Sequence, residues 1–196
     1  MTERRRDGAP SDGVANGVAP SRATRRRRPE RRAEILAAAR EVFPVAGFDG
    51  ASMGDIAARA GCVEGTLYTY FRNKRALFDA VLEAFYEDLI ADIAPRLAQI
   101  DGTRDRLVFL VHRHLRIAID DTGMGRLINS QVWGRADYQG SRLHELNRRY
   151  SRLLTDILDE GIRRGDLLET LDIAIARDFL FGGIQAGLGV LVVEGF

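Results

Sequence analysis

Apolar residues recur along most of this chain at the three- and four-residue spacing of amphipathic helices. Ile35, Leu36, Ala39, Val42 and Phe43 predict a first helix over about 30–45, which Pro44 is expected to shorten because it removes a backbone hydrogen bond. Gly47 and Gly50 bound a short loop holding Phe48. Ser52, a good N-cap with Asp55 three residues on, opens a second helix whose Ile56, Ala57 and Ala60 share a face. Gly61 suits the left-handed conformation of a tight turn, Gly61-Cys62-Val63, and Val63, Leu67 and Phe71 form the inward face of a third helix. Asn73 caps a fourth helix, which carries Leu77, Phe78, Val81, Leu82, Phe85, Leu89 and Ile93 as far as Pro95.

Beyond it, Leu107, Val108, Val111, Leu115 and Ala118 predict a helix from about Thr103 to Asp120, after which Gly123 and Gly125 interrupt the pattern. A segment from Arg126 to Arg135 holds the only tryptophan, Trp133. A long helix from about Ser141 to Arg164 turns Leu143, Leu146, Tyr150, Leu153, Leu154, Ile157 and Leu158 inward, with Gly165 just past its end. The last helix, about 171–193, is apolar nearly all round, as a surface helix is not. With Gly182, Gly183 and Gly187 permitting close backbone contact, it and the long helix before it are expected to form a two-fold four-helix dimer interface. Burial within one subunit is the alternative.

The stretch 52–74 has the layout of a helix-turn-helix, whose second helix lies in a DNA major groove. On the face opposite Leu67 stand Gly65, Thr66, Thr69 and Tyr70, with Tyr68 to one side. These residues suit close approach to phosphate, hydroxyl contacts and apolar contact with thymine. Lys74 and the free N–H groups at the start of the fourth helix point to a backbone phosphate. The segment 32–78, with Ile35, Phe43, Gly47, Ser52, Ile56, Ala60, Gly61, Gly65, Thr66, Leu67, Tyr68, Tyr70, Phe71 and Lys74, closely resembles the DNA-binding domain of the TetR family of bacterial repressors. That resemblance implies an all-α homodimer: an N-terminal three-helix helix-turn-helix domain, and a C-terminal helical bundle that binds a small molecule and releases the operator. It assigns DNA contacts to Ser52, Gly65, Thr66, Tyr68, Tyr70 and Lys74, to which the exposed face adds Thr69. Val63 departs from the family, which usually has a capping serine or threonine there.

Composition sharpens this division. The chain of 196 residues is 45% hydrophobic and 29% charged, with a net charge of only +1. Yet residues 1–75 carry +6 and residues 76–196 carry −5, so the basic part is the part that would meet phosphate. The domains expected are an arginine-rich arm over 1–29, disordered off DNA; a DNA-binding domain over 30–75, with its helix-turn-helix at about 52–71; and a ligand-binding and dimerisation domain over 76–196. Arg25 to Arg28 suit either insertion into a minor groove or sequence-independent phosphate attraction. The fourth helix is either a lever between the domains or a packed connector. One cysteine, Cys62, excludes an internal disulfide and a four-cysteine zinc site. The absence of a long apolar run and of a leader's apolar segment predicts a bacterial cytoplasmic protein without a membrane partner.

No nucleotide loop, nucleophile elbow or metal-ligand spacing is present, so neither enzyme chemistry nor a cofactor is expected. His112 and His114, two apart on a helix, diverge, one inward and one on the surface. A pocket between the helices of the second domain draws on Phe85, Phe109, His112, Arg113, Arg116, Trp133 and Phe179. The region from Tyr150 to Gly183, with Gly161, Gly165, Arg177, Phe181 and Gly182, also resembles the C-terminal domains of TetR members that respond to fatty acyl-CoA. This implies an acyl chain in the core with Arg113 or Arg116 near its head group. A planar aromatic or cationic drug is the competing effector class. The function expected is a ligand-responsive regulator, a repressor on a palindromic double-stranded operator. The alternatives are an inducer-independent architectural DNA-binding protein, and a helical small-molecule binder whose helix-turn-helix is incidental.

Overall fold

The computed structural model describes residues 22–131 and 136–194, and their side chains except those of 22–27, 118, 129 and 185–194. The described residues form eight helices: α1 Arg22–Gly50, α2 Met53–Arg59, α3 Glu64–Tyr68, α4 Lys74–Leu97, α5 Thr103–Asp120, α6 Thr122–Gln131, α7 Arg142–Arg164 and α8 Ile173–Glu194. No strand occurs among them. The fold is all-α, as the periodicity predicts.

Helix α1 begins at Arg22, ahead of the expected start at Glu30, and runs through Pro29 and Pro44. Residues 1–21 of the expected arm lie outside the described residues. Pro44 does not end the helix. The break comes at Gly47 (φ 73°, ψ 168°), a conformation open to glycine, and turns Phe48 back onto Phe43 and Phe78, at ring distances of 6.2 and 5.2 Å. Ile35, Ala39 and Phe43 of α1, Ile56 of α2, Leu67 of α3, and Leu77 and Phe78 of α4 are buried together.

The caps at Ser52 and Asn73 act as the sequence predicts, and Ser141, expected only as a helix start, caps as well. The Ser52 hydroxyl accepts from the Asp55 N–H at 3.0 Å, Asn73 Oδ1 from Ala76 at 2.8 Å, and Ser141 Oγ from His144 at 3.1 Å. Gly61 takes φ +64° in the turn between α2 and α3, and Gly165 takes φ +78° after α7. Asp172 adds a cap that the residue spacing left unmarked, accepting from the N–H groups of Ala174 and Ile175 at 2.9 and 3.0 Å.

The second domain is built on α4, whose Val81, Leu82, Phe85, Leu89 and Ile93 are buried, with α7 packed along it and α5 on α7. In α5 the expected stripe is shifted. Val108 is 57% exposed, and the inward face is Thr103, Leu107, Leu110 and His114. Where Leu107, Val108, Phe109, Leu110 and Val111 are consecutive, apolar content cannot say which side faces the core. Helix α6 starts at Thr122, so the glycines at 123 and 125 lie inside a helix rather than interrupting one. It packs across α1, joining the two halves of the molecule.

Candidate nucleic-acid interface and effector interior

The surface of α3 is set by Leu67, which is fully buried and anchors the helix through its middle. Val63, Glu64, Gly65, Tyr68 and Thr69 are left exposed, and Thr66 and Tyr70 are half-buried. Val63 precedes the helix in extended geometry with no side-chain cap bond, so the helix start relies on backbone geometry alone. Thr69 Oγ1 donates back to the Thr66 carbonyl at 2.7 Å. The Arg28 guanidinium lies over the Tyr70 ring at 5.9 Å and Arg32 over Phe71 at 5.3 Å, so the start of α1 brings positive charge to the flank of α3.

Ser52 is exposed at the start of α2, and its hydroxyl donates to Asp55 at 2.6 Å. Lys74 is half-buried. Its ammonium donates to the carbonyls of Asp49 and Ala51 at 3.2 and 2.8 Å and sits 4.8 Å from the Phe48 ring centre, closing the loop between α1 and α2. Of its three donors, one is left over from these carbonyls.

In the second domain the histidines divide as expected, but His114 is the inward one. His112, the pocket candidate, is exposed on the opposite side of α5. His114 Nδ1 and the Tyr150 hydroxyl share a hydrogen bond of 2.8 Å, and the Phe181 ring lies 4.9 Å from the imidazole and 5.8 Å from the Tyr150 ring. Burial pushes the His114 pKa down to about 4 and the Tyr150 and Tyr86 hydroxyls well above the usual phenol range. Tyr138 is buried nearby, its hydroxyl accepting from Asn147 at 2.7 Å.

Sequence spacing did not single out His114, Tyr86, Tyr138 or Asn147 as polar groups of this interior. The one available signal was the placement of Tyr86 and Tyr150 among the apolar residues of their helices. Among the other candidates, Phe85 is buried and Phe109 half-buried. Arg113 is half-buried and paired with Asp92, while Arg116 is half exposed and bonds Asp120 at 2.8 Å. Phe179 is 79% exposed, so within one chain it lines no interior. Trp133 lies outside the described residues. No group of three or more His, Cys, Asp or Glu side chains converges as a metal site among the described residues, and no described helix is long and apolar enough to cross a membrane.

A helix-turn-helix with its second helix laid open, carried on an all-helical body, defines a DNA-binding transcriptional regulator. Comparison with known proteins agrees in both halves: residues 35–81 match the bacterial regulatory proteins of the tetR family, and residues 101–186 match the tetracyclin repressor-like C-terminal domain. The chain belongs to the tetR family. It is 28% identical over 156 residues to the fatty acid metabolism regulator protein of Bacillus subtilis, covering 78% of each chain. It is also 28% identical over 158 residues to the HTH-type transcriptional repressor KstR2 of Rhodococcus jostii, covering 76% of this chain and 74% of that one. The crystal structure of FadR from Bacillus subtilis in complex with stearoyl-CoA superposes with a TM-score of 0.75 at 24% identity, over 83% of this chain and 87% of that chain.

Proposed function

We propose that this regulator is a homodimeric repressor that grips a palindromic operator through α3 and releases it when a fatty acyl-CoA enters the helical domain. The DNA half rests on one observation: Leu67 is buried beneath a face that leaves Gly65, Tyr68 and Thr69 exposed, with Ser52 and Lys74 at its margins and Arg28 on its flank. Two such helices about 34–36 Å apart read successive major grooves, which supplies a reason for dimerisation. The exposed apolar face of α8, Ile175 and Phe179 with Gly182 and Gly183 beside them, supports an interface through α7 and α8.

The effector reading rests on the character of the interior. His114, Tyr150 and Phe181 form an aromatic wall in which the imidazole is held neutral. The partly buried carboxylates of Asp92 and Glu160 are engaged by Arg113 and Arg106. Such an uncharged, largely apolar wall suits an acyl chain. The names of two relatives, a fatty acid metabolism regulator and a structure with stearoyl-CoA, point the same way.

Selection of bound duplexes from a random library at roughly 150 mM salt tests the DNA half, with a two-fold motif expected. Titration of the selected duplex complex with short-, medium- and long-chain acyl-CoA then tests the effector. Release by a cationic dye but by no acyl-CoA would overturn that assignment.

A further inference from the structure

We infer that Glu64 reads a cytosine in each half-site and so sets which operator this regulator accepts, an inference that rests on α3 being the recognition helix. Helix α3 is five residues long, and the N-terminal residues of such helices meet base edges, so few side chains can do the reading. Among the exposed ones Val63 offers only methyl groups, Gly65 offers none, Thr69 spends its hydroxyl on Thr66, and Tyr68 stands one turn beyond the helix start with its hydroxyl turned to Glu64. Glu64 is the first residue of the helix.

Three other acids near the motif are engaged: Glu34 with Arg31 at 2.8 Å, Glu41 with Arg59, and Asp55 with Ser52. The Glu64 carboxylate has only a long contact to the Tyr68 hydroxyl, 3.4 Å from Oε1 and one turn further along the same face. Its other oxygen lies 3.4 Å from where a Cβ on Gly54 would stand, an ordinary contact distance that places the carboxylate beside the start of α2.

A carboxylate here repels phosphate and weakens binding to DNA in general, so its value lies in discrimination. It has acceptors only. In the major groove the amino groups of cytosine and adenine are the donors, and the adenine donor sits beside the N7 acceptor, which repels a carboxylate. Cytosine is the partner that remains.

The test is duplex selection with the wild-type chain, Glu64→Gln and Glu64→Ala, each checked by circular dichroism melting. The wild type is expected to select cytosine at one position of each half-site. Glu64→Ala should reduce that preference about five- to tenfold while binding random duplex more tightly. Glu64→Gln should move the preference toward adenine, whose donor and acceptor pair matches an amide. An unchanged motif in both variants, with or without a lower melting temperature, overturns the assignment of Glu64 and leaves α3 as the recognition helix. If the wild type itself selects no motif, the recognition helix reading fails and this inference falls with it.

Discussion

Gly123 of α6 lies against Pro44 of α1 so closely that a Cβ built on the glycine would stand 2.5 Å from the proline Cβ and 2.9 Å from its carbonyl oxygen. This is the seam between the two halves, and it has no room for a methyl group. Gly123→Ala is expected to push α6 off α1, costing about 1–3 kcal/mol in a denaturant melt and weakening operator binding. Gly125→Ala, at a site where a Cβ meets nothing within 4 Å, should instead be neutral or gain up to ~1 kcal/mol from helix propensity. Equal losses in both variants would remove the seam from the account.

Beside that seam, Arg75 at the start of α4 stacks its guanidinium 3.9 Å from the Phe48 ring centre and donates from Nη2 to Gln131 Oε1 of α6 at 2.9 Å. Its Nη1 is buried without a partner. Gln131→Ala is expected to cost about 1–3 kcal/mol by stranding a second donor, and to make operator release require more effector. Unaltered release with lowered stability would confine the pair to a packing role.

His114 gives the stability a pH dependence with a definite sign. Its folded pKa of about 4 lies below the ordinary value of 6.5, so between those values the unfolded chain binds the proton that the folded chain refuses. Stability from this group is present above pH 6.5 and is lost as pH falls toward 4, by an upper limit of roughly 3 kcal/mol. His114→Asn should flatten that part of the curve in urea melts, leaving the carboxylate titrations at lower pH in place.

Phe179 is the most exposed large hydrophobic side chain among the described residues of α8. Phe179→Glu is expected to leave the fold of one chain intact and to abolish self-association in sedimentation equilibrium, with operator affinity falling as the paired grip is lost. A dimer that survives this change would place the interface elsewhere.

Val63 heads α3 without a side-chain hydrogen bond. Val63→Thr should restore a cap and raise the unfolding free energy by up to about 1 kcal/mol, whereas Ser52→Ala at the capped start of α2 should lower it by about the same amount. Thermal melts of the two variants side by side decide the matter.

The residues that act through their immediate neighbours in the chain were legible from the start. Ser52 and Asn73 announce the helix starts that they cap, Gly61 and Gly165 the turns that they make, and Leu67 the face that α3 turns inward. A cap reaches three residues and a helical stripe repeats every three or four, so both are written in the local sequence. The placement of Gly65 and Thr69 on the open side of α3 followed for the same reason, whereas Thr66 and Tyr70, expected beside them, are half-buried, and Tyr68, expected to one side, is exposed.

What the local pattern could not hold was phase and long-range contact. In α5, five consecutive apolar residues leave the helix free to rotate in any reading by period, and only packing against α7 turned His114 inward to Tyr150 and His112 out. Pro44 signals a weakened helix, yet α6 lying across it made that position a contact surface, and Gly123 signals an interruption where the fold needed the absence of a side chain. Arg75 and Gln131 are separated by 56 positions, and no spacing rule joins them. The sequence alone determined the helices, their caps and the face shown to DNA, because those depend on neighbours within a few residues. Only the tertiary structure decided the interior around His114 and Tyr150 and the seam between α6 and α1, because those depend on which distant surfaces bury one another.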